Sequence, residues 1–200
     1  MIFQGYLADL IHNLKKLPGV GTKSARRMAI HLLDKDKEEA LALAESIRQT
    51  VENYHKCSVC NMLTDTEPCI FCSDENRQSQ VICIVEHSQD VFLIEETGVF
   101  KGKYFVLGKL LSPLDGIGPD DIYFPKLKNY INREKIREII LALNPSAEGE
   151  STMSFLATEL ENLVEKITRL ATGLPFGGDI EYTSSLTLEN AFKRRYSVKE

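Results

Sequence analysis

Four cysteines, Cys57, Cys60, Cys69 and Cys72, follow the spacing C-x2-C-x8-C-x2-C in a polar, loop-like stretch. Each short pair lets two thiolates point into one small space, and two such knuckles complete a tetrahedron around a single zinc ion per chain. With all four positions filled no place is left for a substrate, so the expected role is structural. Four unrelated cysteines are the alternative, and a redox C-x-x-C would explain one pair while leaving the other idle. His55 beside a complete cysteine set reads as a surface residue. Cys83, in the middle of an apolar run, reads as core.

A second chemistry is carried by charge placement. Between Leu10 and Leu33 stand Lys15, Lys16, Lys23, Arg26 and Arg27 with no acid among them, around the turn LPGVG. Hairpin amides, the start of a helix and flanking cations can together hold a phosphate, with Gly19 and Gly21 allowing the turn and Lys23, Arg26 and Arg27 engaging the backbone of DNA without reading its sequence. This arrangement resembles a helix-hairpin-helix module; a solvated helix face beside a structural hairpin is the alternative.

A third set of residues falls at the ends of predicted strands, where open α/β sheets place their ligands. Glu86 follows one strand, and NPSAEGE at residues 144–150 follows another. This pattern resembles the toprim domain of topoisomerases and primases, whose second motif has the form D-x-D-x-E-G. Asn144 and Ser146 stand in the places of its two aspartates, while Glu148 and Gly149 match. An amide and a hydroxyl supply no charge, so a magnesium site competent for phosphoryl transfer is not expected. Glu86, Glu148 and Glu150 could hold a metal weakly, dock a basic partner, or simply be surface acids.

The elements that position these groups follow from periodicity. Leu7, Leu10, Ile11 and Leu14 share one helical face over 6–14; Pro18 ends that helix, and Thr22 caps a second, TKSARRMAIHLL, with Ala25, Met28, Ala29 and Leu32 as its buried stripe. Ala40, Leu43, Ala44, Ile47 and Val51 predict a third helix over 36–54. After Gln80 the β-branched run VICIV, the strand KYFVLG, IREIILALN and KITRLA alternate with helical segments, which predicts a mostly parallel sheet. A helix is expected within 119–130, started or kinked by Pro125, another over GESTMSFLATELENLVE, and a last one from about Thr187. The organisation expected is a helix-hairpin-helix region at 1–55, a four-cysteine zinc finger at 56–76, a toprim-type α/β domain at 79–174 and a C-terminal segment at 175–200.

Composition bounds the reading. The 200 residues carry 24 Lys and Arg against 29 Asp and Glu, a formal charge of -5. Such a length buries roughly 70% of its unfolded surface without disulfide staples. No apolar run approaches the roughly 20 residues that span a bilayer, and the start MIFQGYLADL lacks the features of a signal peptide. A reducing cytoplasm is therefore expected, which favours metal ligation for the cysteines. The net acidity argues against nucleic acid only until it is divided: outside the five bases of the hairpin region, 19 bases face 29 acids.

The order of parts resembles the RecR family of bacterial recombination mediators over essentially the whole chain. The resemblance rests on LPGVGTKSARRMAIHLL, the four cysteines, LSPLDGIGPDDI, NPSAEGE and the closing GLPFGGDIEY with SLTLENAF. One departure is Gly108-Lys109, where the family commonly has His-Gly; it adds a positive charge. The resemblance implies a non-enzymatic role in recombinational DNA repair with RecO and RecF, helping RecA load at single-strand gaps, in a cytoplasmic, nucleoid-associated protein. It implies dimers and ring-shaped tetramers around single- or double-stranded DNA, with the N-terminal helices and C-terminal segment as subunit contacts. Lys23 and Arg27 match the family's DNA-contacting positions; Glu86 and Glu148 match acids implicated in contacts with RecO. The competing classes are a metal-dependent toprim nuclease or nicking enzyme and a zinc-stabilised protein-interaction adaptor.

Overall fold

The computed structural model describes residues 4–195 and 197. The chain divides into two compact units, 1–54 and 55–200.

The first unit is helical: α1 (Tyr6–Leu14), α2 (Thr22–Asp34) and α3 (Lys37–Asn53). Its small core joins Ile11 to Ala25 and Ala29, with Leu7, Leu10, Leu14 and Val20 packed around them. Two alanines one helical turn apart let α1 approach α2 closely. Met28, expected in the buried stripe, is instead 40% exposed, because Ala25 and Ala29 already define the face turned to α1. The third helix forms as the spacing predicts, with its apolar stripe exposed. Leu43, Ile47 and Val51 lie on the surface, and α3 has no buried residue. Its periodicity suffices for a helix, but among the described residues its apolar face is left exposed.

The second unit opens with a two-stranded antiparallel ribbon, β1 (His55–Lys56) and β2 (Leu63–Thr64), and the short helix α4 (Ile70–Ser73). Then follow β3 (Gln78–Val85), α5 (Ser88–Glu96), β4 (Gly102–Val106), α6 (Phe124–Glu134), β5 (Glu138–Ala142), α7 (Ala147–Leu160), β6 (Lys166–Arg169) and α8 (Ser185–Lys193). The four long strands form one sheet in the order β4-β3-β5-β6, every neighbouring pair parallel. Pro125 lies in the first turn of α6, so it starts that helix and does not kink it. Helix α7 begins at Ala147, earlier than expected, because Ser146 caps it: its Oγ accepts a hydrogen bond from the Gly149 N–H at 3.1 Å.

Strand alternation divides the core. Ile82, Ile84, Phe105, Leu107, Ile139 and Leu141 face one side, against Leu127 and Ile131 of α6 and Met153, Leu156 and Leu160 of α7. Cys83, Val85, Tyr104 and Val106 face the other, against Val91 of α5 and the segment holding Cys57, Cys60, Met62, Cys69 and Phe71. A parallel sheet must be covered on both faces. Here two helices cover one face, and the cysteine module with α5 covers the other. Burial pushes the Cys83 thiol up to about 12, as suits an inert core residue.

One polar network ties module to sheet. Arg77 forms a two-pronged pair with Glu95 of α5 and lies over the rings of Phe71 and Tyr104, at 5.2 and 5.5 Å. The Tyr104 hydroxyl donates to the same carboxylate. Partial burial opposes ionisation of Glu95, but the bonds from Arg77 and Tyr104 outweigh it and hold the carboxyl below its usual range. This stabilisation is fully present above the ordinary glutamate pKa of about 4.3 and is lost as the pH falls through the lowered native value. Glu95→Gln should destabilise the protein by about 2 kcal/mol near neutral pH, between the values for exposed and buried pairs. Urea unfolding followed against pH should show that deficit shrinking on acidification; a constant deficit would contradict the pairing.

Candidate metal centre, hairpin and strand-end site

The four cysteine thiols all lie within 4.8 Å of one another, three of them buried and Cys72 partly so. Two tight turns bring them together. In the first, Cys57 N–H donates to the Met62 carbonyl at 2.8 Å and Asn61 N–H to the Cys57 carbonyl at 3.0 Å, with Asn61 in the left-handed region at φ 62°. Asn is among the few side chains that tolerate that conformation. In the second, Cys69 precedes α4, and its carbonyl accepts from Cys72 N–H at 2.9 Å. The first turn is clamped by Glu67, whose carboxylate accepts from Ser58 Oγ at 2.5 Å and from Ser58 N–H at 3.1 Å, and meets His55 Nε2 at 3.2 Å. These bonds from Ser58, with His55 contributing less, hold Glu67 below its usual range.

Four soft sulfur donors at these separations suit a tetrahedral thiolate site, whose edges would be about 3.8 Å for metal–sulfur bonds of about 2.3 Å. Cys60 and Cys69 approach to 3.4 Å. Hydrogen bonds from Cys60 and Cys72 lower the Cys69 thiol, while contact with Cys69 pushes Cys60 up and contacts with Cys60 and Cys69 push Cys72 up. Crowded thiols oppose one another's ionisation, and a cation held among them would favour the thiolate form of all four. Among the described residues, no other group of three or more His, Cys, Asp or Glu side chains converges in this way.

In the hairpin, Gly19 has φ 75° and needs glycine's freedom, whereas Gly21 has an ordinary φ of -80°. The expected capping by Thr22 is not seen: Gly21 is the residue before the helix, and no side chain caps it. Its carbonyl accepts from Ala25 N–H at 2.9 Å, so the first amides of α2 have no helical carbonyl to bond. A side chain at Gly19 or Gly21 would meet nothing within 4 Å, so both faces are open to a ligand. Lys23, Arg26 and Arg27 are exposed on the first turns of α2. Arg26 and Arg27 also edge a shallow groove with Ile30, His31 and Asp34.

The toprim-like acids are arranged differently from a metal site. Glu86 directly follows β3, with only 17% of its side chain exposed and its carboxylate 3.3 Å from His87 Nε2. Glu148 and Glu150 lie in the first turn of α7 and not in a free loop. Glu150 is committed to Arg169 at the end of β6 through bonds of 2.6 and 2.8 Å, and that pairing lowers its pKa. Ser146, in the place of an aspartate, is occupied as the helix cap. Gly149 is a strict steric requirement, since a β-carbon there would stand 1.9 Å from the Asn144 carbonyl oxygen. The matching E-G of the motif thus docks a helix against a strand end. Beside these groups, Arg169, Thr172, Arg194 and Asn144 edge a cleft of about 750 Å³ flanked by α8. Arg169 is legible in the sequence as the end of a strand, but its partner across 19 residues is not.

Residues 7–51 match the family described as RecR, helix-hairpin-helix, and residues 80–171 match the Toprim domain. The chain is 45% identical to the recombination protein RecR of Desulfatibacillum aliphaticivorans over 96% of both chains. It belongs to the RecR family. The RecR proteins of Carboxydothermus hydrogenoformans and Syntrophobacter fumaroxidans are similar at 46% and 44% identity, each over 98% of both chains. Membership in this family of recombination proteins, which serve DNA repair, accords with a helical hairpin, a cysteine cluster and a parallel sheet in that order. No helix among the described residues is long and apolar enough to cross a membrane.

If the RecR cysteine cage is structural, Cys57→Ala should abolish metal binding and lower stability by well more than the roughly 1 kcal/mol typical of point substitutions. Metal content and thermal unfolding check it together. A variant that loses its metal yet melts at the parental temperature would contradict a structural role.

Proposed function

We propose that this RecR-family chain is a DNA-binding recombination mediator without catalytic activity of its own, stabilised by one zinc ion in the cage of Cys57, Cys60, Cys69 and Cys72. The observation that carries the reading is the uncapped start of α2 with Lys23, Arg26 and Arg27 exposed beside it. Open amides at a helix N-terminus and nearby cations bind phosphate oxygens, which position a duplex or single strand and read no sequence. Gly19 and Gly21 keep side chains away from that approach.

Self-association is supported by the apolar surface that one chain leaves uncovered. Leu43, Ile47 and Val51 of α3 are exposed, and so are Phe176, Ile180, Tyr182, Leu186 and Phe192 in the C-terminal segment. Solvated apolar surface on this scale marks protein contacts, which accords with dimers and with tetrameric rings closed around DNA. Several weak phosphate sites in one ring then act as a multivalent grip. The acidic remainder of each chain discourages binding elsewhere. The Gly177-Gly178 pair closes a turn in which Gly178 N–H donates to the Pro175 carbonyl at 3.0 Å, so it shapes the segment's path.

The strand-end acids favour docking over catalysis. With Ser146 used as a cap and Glu150 neutralised by Arg169, Glu86 and Glu148 remain to meet a basic partner. By family resemblance that partner is RecO, with RecF acting in the same loading of RecA in the cytoplasm, at the nucleoid.

Replacing Lys23 and Arg27 together with alanine should weaken DNA binding and flatten its salt dependence by about 0.9 log units for each duplex phosphate no longer engaged. Fluorescence anisotropy across salt concentrations reads both, and an unchanged slope would contradict the hairpin assignment. Charge reversal at Glu86 and Glu148 should abolish binding of purified RecO while leaving the DNA isotherm in place; retained RecO binding would remove these acids from the interface.

A further inference from the structure

A second cationic cluster lies in the sheet unit, built from residues distant in sequence. Gly108, at φ 77°, turns the chain just after β4 and leads into Lys109. A β-carbon at Gly108 would stand 3.5 Å from the Tyr123 ring and 4.0 Å from Lys56 Nζ, so the turn brings strand end, ribbon and helix start together. Lys56 of β1 donates to the Tyr123 hydroxyl at 2.9 Å, its ammonium 5.0 Å from the ring centroid. Lys126, in the first turn of α6, donates to the Cys57 carbonyl at 3.2 Å and to Asn61 Oδ1 at 2.5 Å.

Tyr123 is the residue before α6 and has φ 55°, a conformation unfavourable for a bulky side chain. The positive end of that helix adds to the three ammonium groups. The Tyr123 hydroxyl registers their convergence. Its hydrogen bond from Lys56 and the fields of Lys56, Lys126 and Lys109 together hold it below the usual phenol range.

Among the described residues, none of these three lysines forms an ion pair with a carboxylate, whereas Lys35, Lys166 and Lys193 each do. Lys56 and Lys109 are exposed, and Lys126 is half-buried and anchored to the cysteine knuckle. Three like charges gathered around one tyrosine repel one another unless an anion is shared among them.

We infer that Lys56, Lys109 and Lys126, arranged around Tyr123, form a second phosphate-contact site for a nucleic-acid strand, separate from the helical hairpin. The assignment deepens the DNA-binding reading above and rests on it. Lys56 and Lys109 contact the phosphate oxygens directly. Lys126, held by the Cys57 carbonyl and Asn61, contributes its field, and the Tyr123 hydroxyl fixes the direction of the Lys56 ammonium. Such a site reads no bases, because every donor in it addresses the backbone.

The test uses the full chain with Lys56 and Lys109 both changed to alanine, alone and combined with the Lys23 and Arg27 replacements. Both lysines are exposed, so the melting temperature should stay at the parental value. Anisotropy of a labelled duplex between about 50 and 200 mM salt should show weaker binding and a slope lower by about 0.9 for each phosphate released, in the parental and in the hairpin-variant backgrounds. Arginine at both positions should restore binding. An unchanged isotherm and slope, where the hairpin replacements still weaken binding, would overturn this site and leave the hairpin reading intact. If neither set of replacements moves DNA binding, both fall. Inorganic phosphate at matched ionic strength should leave the DNA isotherm unmoved; phosphate that displaces DNA from the parental protein but not from the lysine variant would reassign the cluster to a free phosphate ligand and overturn the nucleic-acid assignment.

Discussion

The second unit depends on how one face of its sheet is covered. A parallel sheet exposes apolar side chains on both sides, and only one side here has the usual pair of long helices. Opposite them, Cys83, Val85, Tyr104 and Val106 are covered by α5 and by a segment too short and too polar to form a core alone. That segment covers the sheet by packing its own ligand residues, Cys57, Cys60 and Cys69, into the shared cluster. Ionising thiols in so confined a space is unfavourable without a cation. A cation taken up by this cage would therefore couple metal binding to burial of the sheet face.

The polar contacts around the module follow from this arrangement. Arg77 reaches from the start of β3 to Glu95 while resting on Phe71 and Tyr104, so one guanidinium holds helix, strand and module together. Glu67 holds the first knuckle through Ser58, and Lys126 joins the same turn to α6 through the Cys57 carbonyl and Asn61. Asn61 in turn donates to the Val106 carbonyl at 3.0 Å. A module without a separate core is thus fastened to the sheet on several sides. Lys56, at its edge, is held near Tyr123 by the same geometry.

Substitutions at the strand ends show how a site of this fold changes its chemistry without losing its shape. Gly149 is required here because a β-carbon would collide with the Asn144 carbonyl. Ser146 retains a hydrogen-bonding oxygen, sufficient to cap α7 but without the charge to hold a divalent cation. Glu150 is drawn to Arg169, which removes another anion from the site. The local backbone is that of a toprim domain, while an amide and a capping hydroxyl stand where the motif has its two aspartates.

The sequence by itself determined the parts whose causes are local. Cysteine spacing marked the cage, charge asymmetry marked the hairpin, and the alternation of buried runs with helical segments marked a parallel sheet, because ligand knuckles, helix faces and strand runs repeat over only a few residues. The tertiary structure decided everything that depends on which surfaces meet. Met28 and the α3 stripe look like core by periodicity and are exposed, since periodicity places residues on a common face without saying what covers it. Glu150 with Arg169, and Lys56 with Lys109, Lys126 and Tyr123, are far apart along the chain and invisible to any local pattern. The order of the strands and the turns at their ends bring each group together, and that proximity determines whether a charge is neutralised or left to bind.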